Sequence, residues 1–312
     1  MILVTGATGF VGRALAPRLV EGGADVRCLI RPARRSPRLP KDVPVQVAIA
    51  PLSDPKGLRA ALVGVDTVIH LAGAEWRGQS GDVMAIDAGG TRALVELARD
   101  AGVSRFIYLS HLGADRASAF PVLKAKGIAE VFIRQSGLNY TILRTALLYG
   151  EEDVFVNAIA MVLRAAPMFF FMPGDGTVKL QPLWVEDLVT CLEWSLDDLT
   201  TLNQTMSLGG PEFFSFREMV EAVMRTIGTR RMIVPTRQPY LRWGAALLES
   251  LLPRSPLTTR WLDHLAVNRT TELISVTRFF GLRPARFEQT IGYMRRKHWL
   301  GELRRFMVGE AV

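Results

Sequence analysis

The sequence of 312 residues holds only two cysteines, Cys28 and Cys191, each inside an apolar run. Two thiols so placed make no disulfide framework, which excludes the small secreted scaffolds, and both read as reduced core residues of a cytosolic-type compartment. Long apolar runs are also lacking. The most apolar stretch, 158–173, is interrupted by Arg164 and Pro167 and is too short to cross a bilayer. The first residues, Met1-Ile2-Leu3-Val4-Thr5-Gly6, enter a strand directly, without the charged start and cleavage site of a secretory leader. A cytoplasmic protein is expected, neither secreted nor membrane-spanning, with attachment at a membrane periphery left open. No repeat stands out, the one compositionally biased stretch is the Pro/Arg-rich loop 31–44, and no metal site is assigned.

What is present suffices for a full core: 49% of the residues are hydrophobic, which suits one large α/β domain carrying a smaller appendage. The formal charge of +8 is unevenly spread. Residues 229–312 hold 15 Lys/Arg against 6 Asp/Glu, and the rest of the chain holds 23 against 24. Such a basic tail suits an acidic partner, an anionic membrane surface or nucleic acid, or else is a solvated face. No recognition motif accompanies it, so nucleic acid is not expected.

Apolar or β-branched runs at 2–5, 25–30, 44–49, 66–71, 104–109 and 139–143 alternate with helical periodicity at 10–22, 88–101 and 123–136. This alternation predicts a doubly wound parallel α/β sheet of the Rossmann kind over 1–150. Past Tyr149, longer helical segments at 154–164, 185–196, 216–227, 241–252 and 287–306 predict a smaller, mostly helical region over 151–312, intertwined with the first. Function in such folds gathers at the carboxyl ends of the strands.

The segment Thr5-Gly6-Ala7-Thr8-Gly9-Phe10-Val11-Gly12 follows a strand and opens a helix, with glycines spaced G-x-x-G-x-x-G. A dinucleotide needs a tight turn there, backbone that approaches the pyrophosphate, and a helix start with free N–H groups. Gly6, Thr8, Gly9, Phe10, Val11 and Gly12 are therefore candidate cofactor contacts. The second strand ends in Arg31-Pro32-Ala33-Arg34-Arg35 rather than in a carboxylate. A guanidinium there pairs with the 2′-phosphate of NADP(H), with Arg31 the first candidate and Arg13 and Arg34 behind it.

Three further segments, Val65 to Gly73, Ala101 to Ser110 and Ser136 to Arg144, occur in the order and spacing of the extended short-chain dehydrogenase/reductases, which the chain resembles up to about residue 210. Leu148 to Asn157, Val178 to Asp187 and Tyr293 to Leu300 look most like its atypical branch. That branch contains the NADPH-binding accessory subunit of respiratory complex I and its bacterial relatives; NmrA-like and photosystem-assembly proteins are also similar. The resemblance implies cofactor contacts at Leu52, Leu71, Ala72, Gly73, Ser110 and Lys126. It also implies a Tyr-x-x-x-Lys pair, with the lysine at Lys126 and the tyrosine position at Val122, or at Phe120 if the register shifts to Lys124. Neither side chain transfers a proton. Asp87 stands where asparagine is frequent, and Pro51 where an aspartate commonly touches adenine. His111, beside the family serine position, is a candidate acid or base along with Lys126.

These residues imply an NADPH-holding accessory, assembly or sensor protein of a redox complex, with little or no dehydrogenase turnover. The alternatives are an NADPH-dependent reductase of a hydrophobic small molecule that uses Lys126 without tyrosine, and, less favoured, a nucleotide-sugar epimerase or dehydratase. Met168-Phe169-Phe170-Phe171-Met172 either packs in the core or lines a pocket for a hydrophobic ligand such as a quinone, isoprenoid or pigment. Segments 241–252 and 287–306 mix apolar and basic positions in the manner of interfacial or partner-docking helices.

Overall fold

A computed structural model describes residues 1–32, 39, 43–76, 81–252 and 254–308. In chain order the elements begin β1 (Ile2–Thr5), α1 (Phe10–Glu21), β2 (Val26–Ile30), β3 (Gln46–Ile49), α2 (Pro55–Leu62), β4 (Thr67–His70), α3 (Gly90–Asp100), β5 (Arg105–His111), α4 (Pro121–Arg134) and β6 (Asn139–Thr145). There follow β7 (Leu148–Tyr149), α5 (Phe155–Ala165), β8 (Phe169–Pro173), β9 (Lys179–Leu180), β10 (Leu183–Trp184), α6 (Val185–Asp197) and β11 (Gln204–Leu208). The chain ends with β12 (Phe214–Ser215), α7 (Phe216–Thr226), β13 (Met232–Thr236), α8 (Gln238–Leu251), α9 (Thr259–Asp263), α10 (Ser275–Phe280), α11 (Phe287–Thr290) and α12 (Trp299–Val308).

Two compact units emerge, the first made of 1–75, 81–145 and 185–208, the second of 76–80, 146–184 and 209–312. In the first, seven strands lie in the order β11-β6-β5-β4-β1-β2-β3, every neighbouring pair parallel. This is the doubly wound Rossmann arrangement that the alternation predicts. Central strands are buried on both faces, so Leu3, Val4, Val68, Ile69, Phe106 and Ile107 are all inaccessible and the strands read as unbroken apolar runs. At the edge, β3 exposes Val47 and Ile49.

The return of 185–208 to the sheet is anchored by Arg105 in β5. Its buried guanidinium donates to the Ser195 carbonyl at 2.5 Å, the Thr201 hydroxyl at 2.5 Å and the Thr141 hydroxyl at 3.1 Å, holding α6 and the turn after it against β6. A carboxylate at Asp54 caps α2 by accepting from the Lys56 N–H, and Pro55 supplies the first helical position.

The second unit has its own core, in which Phe155 stacks on Trp261 at 4.8 Å and Tyr149 meets the edge of Phe287 at 4.9 Å. Two expectations change here. Residues 169–172 of the aromatic cluster lie in a strand, β8, paired in parallel with β13, so their side chains alternate. Phe170 and Met172 enter the core while Phe169 and Phe171 face water, which is strand periodicity rather than a pocket lining. The single helix expected over 287–306 is broken into α11, a 3-10 turn over Ile291–Arg295, and α12. Met294 and Trp299 are both buried, and the Trp299 indole donates to the Met294 carbonyl at 3.0 Å, a contact that a continuous helix would prevent by keeping that carbonyl in its own ladder.

Candidate functional site

The glycine loop between β1 and α1 is shaped by contacts that tolerate no side chain. Gly6 has φ +74°, and a Cβ added there would lie 2.7 Å from the Ala72 nitrogen. At Gly12 an added Cβ would lie 2.3 Å from the Gly6 carbonyl oxygen. Gly9 leads into α1 in extended conformation, no side chain caps that helix, and its first turn carries no acid. The N–H groups of Phe10, Val11 and Gly12 thus open a helix whose positive end suits an anion such as the pyrophosphate of a dinucleotide.

Around the loop, Leu71, Ala72 and Gly73 continue from the end of β4, and Leu52 packs beside Gly90 at the start of α3. Arg31, just past β2, is exposed; Arg13 is half-buried on α1; Thr8 is half-buried in the loop. Arg34 and Arg35 lie outside the described residues.

Beneath the loop runs a buried polar chain. Thr5 and His70 meet at 2.6 Å through Oγ1 and Nδ1, and His70 Nε2 lies 2.9 Å from the Thr91 hydroxyl, which donates to the Asp87 carbonyl at 2.5 Å. Burial and, to a lesser degree, the charge of Lys126 push the His70 pKa down to about 3, so this imidazole is neutral. It stacks on Tyr108 at 5.5 Å, and burial pushes the Tyr108 phenol up to about 12.

Lys126, on α4, is buried rather than presented to solvent. Its ammonium donates to the Leu109 carbonyl at 3.1 Å, pairs with Asp87 Oδ1 at 3.3 Å and lies 4.9 Å from the Tyr108 ring centroid. Burial disfavours the charge, but Tyr108, Asp87 and Glu75 outweigh it and hold Lys126 above its ordinary range. Asp87 also accepts the Ala74 N–H at 2.8 Å, which fixes the segment after β4. The aspartate that stands where asparagine is frequent therefore gives the lysine a carboxyl partner.

Other expected residues fall differently. Ser110 is buried and donates its hydroxyl to Glu130 at 2.6 Å, where Arg144 also binds through both Nε and Nη2; that hydroxyl serves the α4 packing rather than a cofactor. His111 is half-buried with Nε2 2.9 Å from the Glu75 carboxylate. Val122 is buried in an apolar cluster with Ala74, Val83, Ala88 and Ala125, and Phe120 precedes the first turn of α4. The motifs assign no role to Glu75 or to the Thr5–His70–Thr91 chain, although Thr5 and His70 fall inside motif segments at the carboxyl ends of β1 and β4 and Thr91 lies in the first turn of α3. Among the described residues no group of His, Cys, Asp and Glu is arranged to hold a metal.

Comparison with known proteins bears on family and fold. Over 261 residues the chain is 31% identical to the mitochondrial NADH dehydrogenase [ubiquinone] 1 alpha subcomplex subunit 9 of Arabidopsis thaliana, covering 81% of this chain but only 64% of that protein. It is 26% identical to the photosystem II assembly factor Ycf39 of Guillardia theta, over 94% of this chain and 92% of the relative. Among solved structures, the Thermus thermophilus UDP-glucose 4-epimerase in complex with NAD superposes with a TM-score of 0.72 at 21% identity, over 96% of this chain and 99% of that one, a likeness of fold. The model of the family described as NAD(P)H-binding matches residues 6–160, the stretch that contains the glycine loop, Asp87 and Lys126. The amino-terminal half of the chain thus matches the NAD(P)H-binding family, whose description names a nicotinamide dinucleotide.

Proposed function

We propose that this protein holds NADPH as an accessory or assembly component of a membrane-bound redox complex and turns over little or no substrate. The observation that carries the reading is Val122. A proton-transferring hydroxyl is needed there, and the position is filled by an aliphatic side chain sealed into an apolar cluster. The relatives named for a respiratory subunit and for photosystem assembly support the same direction.

A bound nicotinamide would supply a hydride-carrying ring. The chain's own residues supply its holding: the α1 start for the pyrophosphate, Arg31 for the 2′-phosphate, Leu52 for the adenine side, and Lys126 at the ribose end. With Asp87 pairing its ammonium, Lys126 is a fixed positive group rather than a proton donor. NADPH is favoured over NADH because Arg31 is exposed and directly follows β2, where a carboxylate would otherwise contact the ribose.

Calorimetry with both nucleotides tests the reading. NADPH should bind more tightly than NADH, and Arg31→Ala should weaken NADPH by roughly 1.5–3 kcal/mol, about tenfold to a hundredfold, with little change for NADH. Equal affinities in the wild type would remove the 2′-phosphate assignment. One observation favours a second reading, a reductase of a hydrophobic molecule: His111, at the end of β5, pairs with Glu75, whose charge also acts on Lys126 of α4. Steady NADPH oxidation that His111→Gln abolishes, with nucleotide affinity intact, would select it.

A further inference from the structure

Helix α8 is amphipathic but mounted with its apolar side outward. At 100° per residue Tyr240, Trp243, Leu247 and Leu251 fall within about 80° of one another. All four are exposed, Trp243 at 72%, Leu251 at 69% and Tyr240 at 67%, with Leu248 exposed on the flank. The polar residues point the other way: Arg242 pairs with Asp263 at 2.8 Å and Glu249 accepts from the Thr259 hydroxyl at 3.2 Å, both on the α9 side, and Ala245 is the helix's one buried residue. Ordinary surface helices show the reverse arrangement. The strand that feeds α8 behaves alike, since Met232 is exposed in register with exposed Phe169, on the outer face that also carries Phe171.

We infer that α8 and the outer face of β8 and β13 dock this protein onto an anionic lipid surface. Charge selects the occupant. Between residues 230 and 254 the sequence has five arginines against a single acid, Glu249. Arg230, Arg237 and Arg254 are exposed, the first two before the helix and the third after it. Leucines flanked by arginines, with tryptophan and tyrosine on the apolar side, make the composition of a helix that lies in the headgroup region. A second copy on this face would bring like-charged arginine rims together across a two-fold axis, which opposes self-association. No helix among the described residues is long and apolar enough to cross a membrane, so the contact is one of lying on the surface. The inference is independent of the nucleotide reading, because every residue in it belongs to the second unit.

Sedimentation with vesicles tests it, using the full chain and either pure phosphatidylcholine or phosphatidylcholine with one third phosphatidylglycerol. The wild type should pellet with the anionic vesicles and much less with the neutral ones. Replacing Trp243, Leu247 and Leu251 by glutamine should lower the partition coefficient by more than about tenfold, because that apolar area no longer leaves water. Arg230→Gln, Arg237→Gln and Arg254→Gln should each lower it about fivefold on anionic vesicles, and the three together should remove most of its salt dependence. All these side chains are exposed, and an unchanged circular dichroism spectrum and NADPH affinity would confirm that the variants fold. Blue-shifted emission on vesicle addition should vanish in Trp243→Phe. Wild-type protein that stays in solution with anionic vesicles overturns the inference, as does an apolar triple variant that binds undiminished. A lipid-free dimer that the same variant dissociates would give the face to a second copy.

Discussion

Buried acids meet cationic side chains at close range in the first unit, whereas the most buried acid of the second is held mainly by backbone donors. In the first unit Asp87 faces the Lys126 ammonium, and Glu130 receives Arg144 and Arg134. In the second, Asp153 is as deeply buried but is held by backbone N–H groups, from Val156 at 2.5 Å and Gly150 at 3.3 Å. Burial there outweighs those donors and pushes the Asp153 pKa up to about 7. The first unit thus pairs its buried acids with basic side chains, and the second holds a buried carboxyl whose pKa is raised to about 7 while an apolar surface faces outward on α8.

Removing a counter-charge gives the largest expected effect. Glu130 is inaccessible and collects four donors: Ser110 at 2.6 Å, Arg144 at 2.9 and 2.6 Å, and Arg134 at 3.1 Å. Glu130→Ala strands those groups, which for a buried pair costs about 3–5 kcal/mol. Because Arg144 and Arg134 retain 28% and 35% of their side-chain exposure, water recovers part of this, and the lower end, about 3 kcal/mol, is expected in urea unfolding at neutral pH. A loss under about 1 kcal/mol would mean that the cluster behaves as a surface pair.

Much of the first unit is legible in the sequence because its signals are local. Two-sided burial makes β1, β4 and β5 continuous apolar runs, and the glycine spacing encodes a loop whose Cβ positions are sterically closed. Side-chain destinations are less legible. Ser110 stands at a motif position, yet its hydroxyl goes to Glu130, a partner twenty residues away that no spacing rule names. Lys126 is recognisable by register, but its lock depends on Asp87 and on the depth of α4. In the second unit the sequence predicts that 241–252 is helical and amphipathic, and it cannot say which face is covered, since that depends on where α9 packs. The break in 287–306 is illegible for the same reason: Met294 and Trp299 turn inward to a core assembled from distant segments.

A pH titration of stability sharpens the contrast between the units. Asp153 has a raised folded-state pKa, so between its ordinary value near 4 and about 7 the folded chain keeps a proton that the unfolded chain releases. Its contribution is complete below about 4 and is lost as the pH rises through 7. His70 is lowered to about 3, so its contribution is complete above about 6.5 and is lost as the pH falls toward 3. The first unit is thereby weakened by acid and the second by base. Taken whole, the Asp153 shift corresponds to roughly 4 kcal/mol, and water entry on ionisation leaves about 2 kcal/mol as the expected loss from pH 5 to pH 8. Asp153→Asn keeps a side-chain oxygen for the Val156 N–H and should flatten the alkaline limb while leaving the acid limb unchanged. An alkaline limb that persists in this variant would place the titrating group elsewhere.

The smallest expected effect compares helix caps, one from each unit. Asp54 caps α2 with a single acceptor for the Lys56 N–H. Ser215 and Glu218 cap α7 reciprocally, the Ser215 hydroxyl accepting from the Glu218 N–H at 3.2 Å and the Glu218 carboxylate accepting from the Ser215 N–H at 2.7 Å. Substituting a cap residue by alanine typically costs about 1 kcal/mol, which is about a fivefold loss of protection for the amides of that helical turn. Asp54→Ala and Ser215→Ala should each show it by hydrogen exchange read peptide by peptide. Ser215→Ala should have the larger effect, because the hydroxyl also donates to Glu218 at 2.8 Å and its removal loosens the carboxylate that holds the second N–H. The two measurements separate local from shared stability. If Ser215→Ala accelerates exchange only in α7, and Asp54→Ala only in α2, each unit keeps its own account of fraying; equal acceleration in both helices from either variant would show that the two open together.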